Sequence, residues 1–260
     1  MASNNVANEL VRFNAELISA NQCRDFYYDP HTKRYTGIRK ILKGWCPDIR
    51  MADKALHLDF IHTADGNPVY VEHNDNYYDL RKRFPKTIIR FREHINIDES
   101  TILTYTVDRG IYSIESFQDI IEDDKSHLIT WEKGYQKDKW DNNKPIGKFD
   151  LDRSKNNNED LLKYQFEYID NNWYRDQRMR QLIVHATNPN GKTIEVSILS
   201  DDLTRNANEI IQLIFSRWLQ ENDFKYLEKH FGINQITSYK SISYKQLQDL
   251  LDDQQVVRGE

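Results

Sequence analysis

A strand–helix–strand unit near the middle of the chain constrains the fold more than any other feature. TILTYTVD at 101–108 is an apolar, β-branched run that ends on Asp108, and HLITWEK at 127–133 is a second apolar run. The segment between them, 113–124, has apolar residues at helical spacing and begins with Ser113, a typical N-cap residue. Two strands joined through a helix run parallel, so the sequence predicts a βαβ unit within a sheet.

The segments before this unit predict a strand, a hairpin and a helix. Residues 25–29, DFYYD, are predicted to be a short strand that ends on Asp29. Two alternating runs at 55–63 and 69–74, separated by an Asp-Gly turn, predict a hairpin. A helical stretch over 77–95 follows, in which Pro85 predicts a break or a kink. A further helix is predicted over 5–20 from its apolar spacing.

The second half of the chain predicts a β-rich insertion followed by a last helix. Residues 132–199 begin polar and Asn-rich and then show two strand-like runs around an Asn-Pro-Asn-Gly turn. From about residue 203, one helix face carries a run of apolar residues, Ala207, Ile210, Ile211, Ile214 and Trp218. We therefore predict an α/β fold, a ribonuclease-H-like mixed sheet flanked by helices, with 1–131 and 200–260 as its core. The β-rich insertion precedes the last, catalytic helix.

Composition excludes several classes of protein. The 260 residues contain no apolar run of about 18 residues, so no membrane partner is expected. The N-terminus lacks the basic start and apolar stretch of a secretory signal, and the two cysteines form neither a metal-type pair nor a disulfide framework, which fits a cytoplasmic protein. The net charge of −5 argues against a dedicated nucleic-acid-binding module but not against a local basic groove.

Three acids break local sequence rules and suggest a metal site. Asp29 and Asp108 end apolar strands, and Glu221 falls on the apolar stripe of the last helix. Three carboxylates suit Mg²⁺ or Mn²⁺, and a pair of such ions can assist phosphodiester cleavage. The alternative is a plain polar α/β domain, because 41 acids will place some at strand ends by chance and Asp is a common turn residue.

Four stretches resemble the insertion-sequence transposases of the DDE type, in the broad IS4-like group. FYYDPHTKRYTG resembles the first-Asp strand of that family, and TVDRGIYSIESF resembles its second-Asp block. RQLIVHATNPNGKTIEVSILSDD resembles the strand pair of the insertion, and IFSRWLQENDFKYLEKHFGINQITSYKS resembles the helix that carries the Glu. The resemblance implies Asp29, Asp108 and Glu221 as catalytic residues and ligands of two Mg²⁺ or Mn²⁺ ions.

The family resemblance also implies a function and partners. It implies a transposase catalytic domain that hydrolyses a phosphodiester at element ends and directs the 3′ hydroxyl at target DNA. Double-stranded DNA is then the partner, a homodimer in a synaptic complex is expected, and the protein would act in the bacterial cytoplasm at the nucleoid. Two alternatives remain open: a catalytically inactive descendant that binds DNA or protein, and a metal-dependent nuclease without strand transfer.

The sequence departs from the family around the Glu and at the N-terminus. The positions seven residues before and after Glu221, where the family often has Tyr and Lys, are Ile214 and Glu228. The chain also starts close to Asp29, whereas complete transposases of this kind usually carry a helical DNA-binding region first, so a catalytic fragment is one reading.

Several cations are candidates for contacts with DNA. Arg109 follows Asp108 and could neutralise a phosphate, or could be a plain surface residue. Arg217 could hold the DNA backbone or pair with Glu221, and Lys225 lies nearby in sequence. Lys33 and Arg34 belong to the basic stretch HTKRYTGIRKILK after Asp29, a predicted backbone-contact segment. In the insertion, Trp140 and Trp173 are expected to pack in the core, with base stacking as the alternative.

Overall fold

One mixed sheet of ten strands organises the part of the chain that the structure describes. In this computed structural model, residues 23–217 are described apart from 36, 38, 39, 42, 47, 48, 75–78, 96, 138 and 155–160, together with 9, 12 and 18. The strands of the sheet are β1 (Asp25–Arg34), β2 (Lys43–Cys46), β3 (Met51–Thr63), β4 (Pro68–Asn74), β5 (Leu103–Val107), β6 (Ser126–Trp131), β7 (Gly147–Ser154), β8 (Leu161–Asn172), β9 (Arg180–Thr187) and β10 (Thr193–Ser200). The predicted helix over 5–20 and everything after residue 217 lie outside the described residues, except for Glu9, Arg12 and Ile18.

The strand order agrees with the predicted succession. It runs β2-β3-β1-β5-β6-β10-β9-β8-β7, and β4 pairs with β3. β1 is antiparallel to β3 but parallel to β5, and β5 is parallel to β6, so the predicted hairpin and βαβ unit are both confirmed. The predicted α/β fold, a mixed sheet flanked by helices, is confirmed, and the ribonuclease-H-like assignment stays a prediction.

The insertion strands continue the core sheet. β10 pairs antiparallel with β6, and β9, β8 and β7 follow outward from β10. The division into a core of 1–131 with 200–260 and an insertion of 132–199 stays a prediction, but backbone pairing across the β6–β10 boundary joins the two parts.

Two apolar clusters cover opposite faces of the sheet. Helices α1 (Leu80–His94) and α2 (Ile114–Ile121) cover one face, and helix α3 (Ala207–Ser216) covers the other. The predicted stripe on α3 is confirmed, since Ala207, Ile210, Ile211 and Ile214 are all buried. Among the described residues, no helix is long and apolar enough to cross a membrane.

The predicted break at Pro85 is wrong, because α1 runs unbroken from Leu80 to His94, and the alternative, a kink, stays a prediction. Proline has no N–H to donate to the carbonyl four residues earlier, which belongs to Arg81. The Ser116 hydroxyl on α2 donates to that Arg81 carbonyl at 3.0 Å. The neighbouring helix therefore satisfies the acceptor that Pro85 cannot.

Two histidines of the predicted hairpin, His57 and His62, are buried. His57 is 3% exposed and His62 is 1% exposed. Burial lowers the pKa of His62 to about 4, so its ring is neutral at pH 7. Both histidines lie on β3, an interior strand that pairs with β1 on one side and with β4 on the other.

Candidate functional site

Asp29 and Asp108 follow directly after the last paired residues of two neighbouring parallel strands. The β1–β5 pairing ends at Tyr28 and Val107, and the next residue on each strand is one of the two Asp residues. β1 does not end at Asp29 as predicted. It continues to Arg34 as a partner of β3, with Asp29 opposite Phe60. The acid therefore lies where β1 loses its β5 partner and keeps only β3.

The alternation of side chains assigns both acids to the face that α3 covers. Tyr28 and Val107 belong to the apolar cluster under α1 and α2. Tyr27 instead reaches α3, where its hydroxyl donates to the Leu213 carbonyl at 3.1 Å. Successive residues of a strand point to opposite faces. Asp29 therefore points to the same face as Tyr27. Asp108 has extended backbone angles, so it points to the face opposite to that of Val107. The two predicted carboxylates thus share one edge and one face of the sheet.

Asp108 also caps the turn that follows β5. Its Oδ1 accepts a hydrogen bond from the Arg109 backbone N–H at 2.8 Å, at the start of a short 3₁₀ turn, Arg109–Ile111. The carboxylate is half-buried, so one face of it remains open to a ligand. The local sequence explains this position, since Asp readily accepts from the backbone at a turn that leaves a strand.

Asp108, Arg109 and Arg217 meet around one cleft of about 520 Å³, which we call the Asp108 cleft. Its other lining residues are Trp131, Glu132, Gly134, Tyr135, Lys137, Ile194, Glu195, Val196, Ser197 and Phe215. The ring of Phe215 packs edge-on against Trp131, with the ring centroids 5.2 Å apart, and so anchors the end of α3 at β6. The predicted cations Arg109 and Arg217 therefore lie beside the predicted acid Asp108.

Glu132 is a buried acid in the Asp108 cleft to which the sequence reading assigned no role. Its carboxylate accepts from Trp173 Nε1 at 3.1 Å, Gln181 Nε2 at 2.6 Å and Ser197 Oγ at 2.7 Å. Three donors satisfy this anion, and they tie the end of β6 to the insertion strands. Its signal in the sequence is the same as that of Asp108, an acid directly after a buried strand.

The two insertion tryptophans differ in their surroundings. Trp173 is 1% exposed and donates to Glu132, so it packs in the core as expected. Trp140 is half-buried and stacks face-on against His185, with the ring centroids 3.9 Å apart. Neither ring presents a bare face within the Asp108 cleft.

Lys33 and Arg34, two further predicted contacts with DNA, do not line the Asp108 cleft. Lys33 is 6% exposed, and this burial lowers the pKa of its ammonium group, which argues against a direct phosphate contact. Arg34 is exposed and pairs with Asp53 at 2.7 Å. Glu221 and Lys225 lie outside the described residues. Across the described residues, no three His, Cys, Asp or Glu side chains come together as a metal site.

Comparison with known proteins gives a family and one distant structure. A family model described as "Transposase protein" matches residues 79–253. A solved structure of a piggyBac transposase synaptic complex with hairpin DNA aligns with 81% of this chain at 11% identity and a TM-score of 0.42. The aligned part covers 40% of that structure's chain. No curated protein sequence matches.

Proposed function

Because the chain belongs to this family of transposase proteins, we propose that its core is the catalytic domain of a metal-dependent DNA transposase, of the predicted DDE type. The match to the family model confirms the predicted transposase relationship but not the IS4-like group. One observation carries the proposal: Asp29 and Asp108 follow the last paired residues of two adjacent parallel strands, on the face that α3 covers. Glu221, four residues after Arg217, is the proposed third carboxylate.

The donor set fits a pair of Mg²⁺ or Mn²⁺ ions. Asp29 and Asp108 offer hard carboxylate oxygens, which these ions prefer, and the proposed site holds no thiolate that would favour zinc. Both carboxylates are half-buried, and Glu221 would complete the set. Bound there, such ions would activate a water and stabilise the leaving oxygen of a phosphodiester.

The protein's own residues would position the DNA strand. Arg109, Lys137 and Arg217 surround the Asp108 cleft, so three cations border the side of the site towards β6. Guanidinium groups bind phosphate oxygens in a bidentate manner, which would fix a backbone phosphate against the carboxylates. The arrangement supports cleavage and strand transfer on duplex DNA, and a homodimer in a synaptic complex is part of the same proposal.

The test uses metal-linked stability of the full chain and the Glu221→Gln variant. Without metal, three neighbouring carboxylates repel, so removing one charge should leave the variant at least as stable as the parent. At Mn²⁺ near 100 times its Kd, the parent should gain about 2.7 kcal/mol of unfolding free energy. The variant should gain less than half of that, whereas Glu99→Gln, an exposed acid away from the cleft, should respond like the parent.

Thermal unfolding with and without Mn²⁺ gives the measurement. Equal stabilisation of parent and Glu221→Gln would contradict a ligand role for Glu221. No stabilisation of the parent, with weak DNA binding retained, would favour the catalytically inactive descendant instead.

A further inference from the structure

A two-stranded ribbon extends beyond the end of β1. The β1–β3 pairing stops at Arg34 and Ala55, after which residues 51–54 of β3 pair with β2 alone. The Tyr35 backbone N–H still donates to the Lys54 carbonyl, at 2.8 Å, and marks the base of this ribbon. We call residues 43–46 and 49–54 the β2–β3 ribbon.

The β2–β3 ribbon leaves the sheet on the side towards which β1 runs past Asp29. On β3, Asp29 lies opposite Phe60, and the ribbon's far residue Met51 is nine positions earlier. At about 3.3 Å per residue, the ribbon reaches at most roughly 30 Å from the level of Asp29. This reach is close to one helical turn of B-DNA, about 34–36 Å.

The ribbon and the segment leading into it are strongly basic in an acidic protein. Residues 31–54 contain seven Lys or Arg and two Asp, a net charge of +5, whereas the whole chain carries −5. Lys43 and Arg50 are exposed on the ribbon. One of the two acids, Asp53, is already paired with Arg34. This is the local charge asymmetry that favours a polyanion.

Two large apolar side chains are exposed on the same ribbon. Trp45 is 49% exposed and Met51 is 56% exposed. They lie on opposite strands and on opposite faces of the ribbon, since Trp45 pairs with Ala52, and Met51 pairs with Cys46. A ribbon of this kind has cations for phosphates and apolar groups for base edges, where the thymine methyl is an apolar contact.

Arg50 has an unfavourable backbone conformation. Its φ of 51° is the one left-handed value found at a non-glycine residue within the described part of the chain. This conformation costs roughly 1–2 kcal/mol in a residue with a Cβ, and glycine would avoid that cost. Because the turn would be more stable with glycine, an arginine there needs a reason other than folding.

We propose that the β2–β3 ribbon is an arm that enters the major groove of duplex DNA about one helical turn from the catalytic edge. The major groove is about 12 Å wide and admits a two-stranded β-ribbon. Lys43 and Arg50 contact phosphates, and Trp45 faces the base edges, whereas Met51, paired with Cys46, lies on the other face of the ribbon. The inference rests on the proposed function, because the DNA that this arm would bind is the duplex that flanks the cleaved bond.

The test compares Lys43→Ala/Arg50→Gly with Lys82→Ala/Lys86→Ala, which removes two exposed cations from α1. Fluorescence anisotropy with a labelled duplex of about three helical turns measures affinity against salt. The ribbon variant should bind about 5–10-fold more weakly at low salt, and its log–log salt slope should fall by about 1–2. Its urea midpoint should not fall, because glycine removes the strain at position 50.

Each result decides the proposal. Equal affinities of the ribbon variant and the α1 control would overturn the arm, as would an equal loss on an RNA duplex, whose major groove is too narrow for side chains to read. Mn²⁺-dependent stabilisation, measured on the same variant, separates the two proposals. If Mn²⁺ still stabilises the ribbon variant while its DNA affinity falls, both the catalytic proposal and the arm stand. If Mn²⁺ does not stabilise the parent, the catalytic proposal fails, and the DNA affinities alone decide the arm.

Discussion

Asp108→Asn should abolish metal-dependent nicking of supercoiled plasmid DNA by the full chain. Asparagine keeps the Oδ1 that accepts from the Arg109 N–H, so the cap of the 3₁₀ turn and the fold should survive. The variant loses the negative charge and one of the two carboxylate oxygens that would hold the ions. We expect a loss of at least about 10²–10³-fold in rate, in the range seen when a single group that stabilises transition-state charge is removed.

The matched control for Asp108→Asn is Asp124→Asn. Asp124 is exposed and precedes β6, so it lies towards the opposite edge of the sheet from Asp108. Nicking by this control should equal that of the parent. Conversion of supercoiled to open-circular plasmid in Mn²⁺ measures both variants, and a parental rate for Asp108→Asn would mean that this carboxylate takes no part in cleavage.

Arg83→Met should destabilise the protein by about 3–5 kcal/mol, because it leaves a buried carboxylate without its counter-charge. Arg83 Nε lies 2.7 Å from Asp59 Oδ2, and the two side chains are 7% and 0% exposed. Asn74 Nδ2 and the Thr87 hydroxyl also donate to that oxygen, at 2.8 and 3.3 Å. These contacts join α1 to the β3–β4 hairpin, and β3 lies beside β1, the strand that carries Asp29.

The control for Arg83→Met is Arg90→Met on the same helix. Arg90 pairs with Glu72 at 2.7 Å, but its side chain is 38% exposed, so its loss should cost less than about 1 kcal/mol. The double variant Arg83→Met/Asp59→Leu should recover much of the loss, since neither charge is then buried alone. Urea unfolding gives the three values, and a loss below about 1 kcal/mol in Arg83→Met would show that water reaches Asp59.

The order and direction of the core strands could be predicted because each buried strand has a distinct pattern. TILTYTVD and HLITWEK became the parallel strands β5 and β6, and ALHLDFIHT lies within β3. These runs are short, apolar and separated by capped helices or Asp-Gly turns, so local chemistry and tertiary pairing agree.

The length of β1 and the burial of polar residues on β3 could not be predicted. The sequence after Asp29 is polar, which is typical of a loop, yet those residues pair with β3 as far as Arg34. Asp59 and His62 also look like surface residues in an alternating hairpin. Their burial depends on partners distant in sequence, such as Arg83 for Asp59, and periodicity cannot reveal these.

The sequence of β7 has a strand pattern that the sequence analysis does not use. The pairing that joins the insertion to the core has no local sequence pattern. GKFDLDRS alternates apolar and charged residues around Phe149 and Leu151, which is the pattern of a strand with one buried face. The antiparallel pairing of β10 with β6 joins strands that are distant in sequence, and local patterns do not reveal which distant strand is the partner. At the site, Asp29 and Asp108 could be predicted because each interrupts an apolar strand pattern. The cleft that Arg109 and Arg217 line could not be predicted, because it forms only in the folded chain.

Mn²⁺ binding, measured by the loss of the free-ion electron paramagnetic resonance signal, tests the central claim most directly. The claim is that Asp29 and Asp108 bind the same ions. We expect Asp29→Asn and Asp108→Asn each to weaken binding by at least about tenfold, since even loss of a group that only supports a ligand costs 10–100-fold. Asp124→Asn should bind like the parent. Unchanged Mn²⁺ affinity in either of the first two variants would contradict a shared metal site at this edge of the sheet.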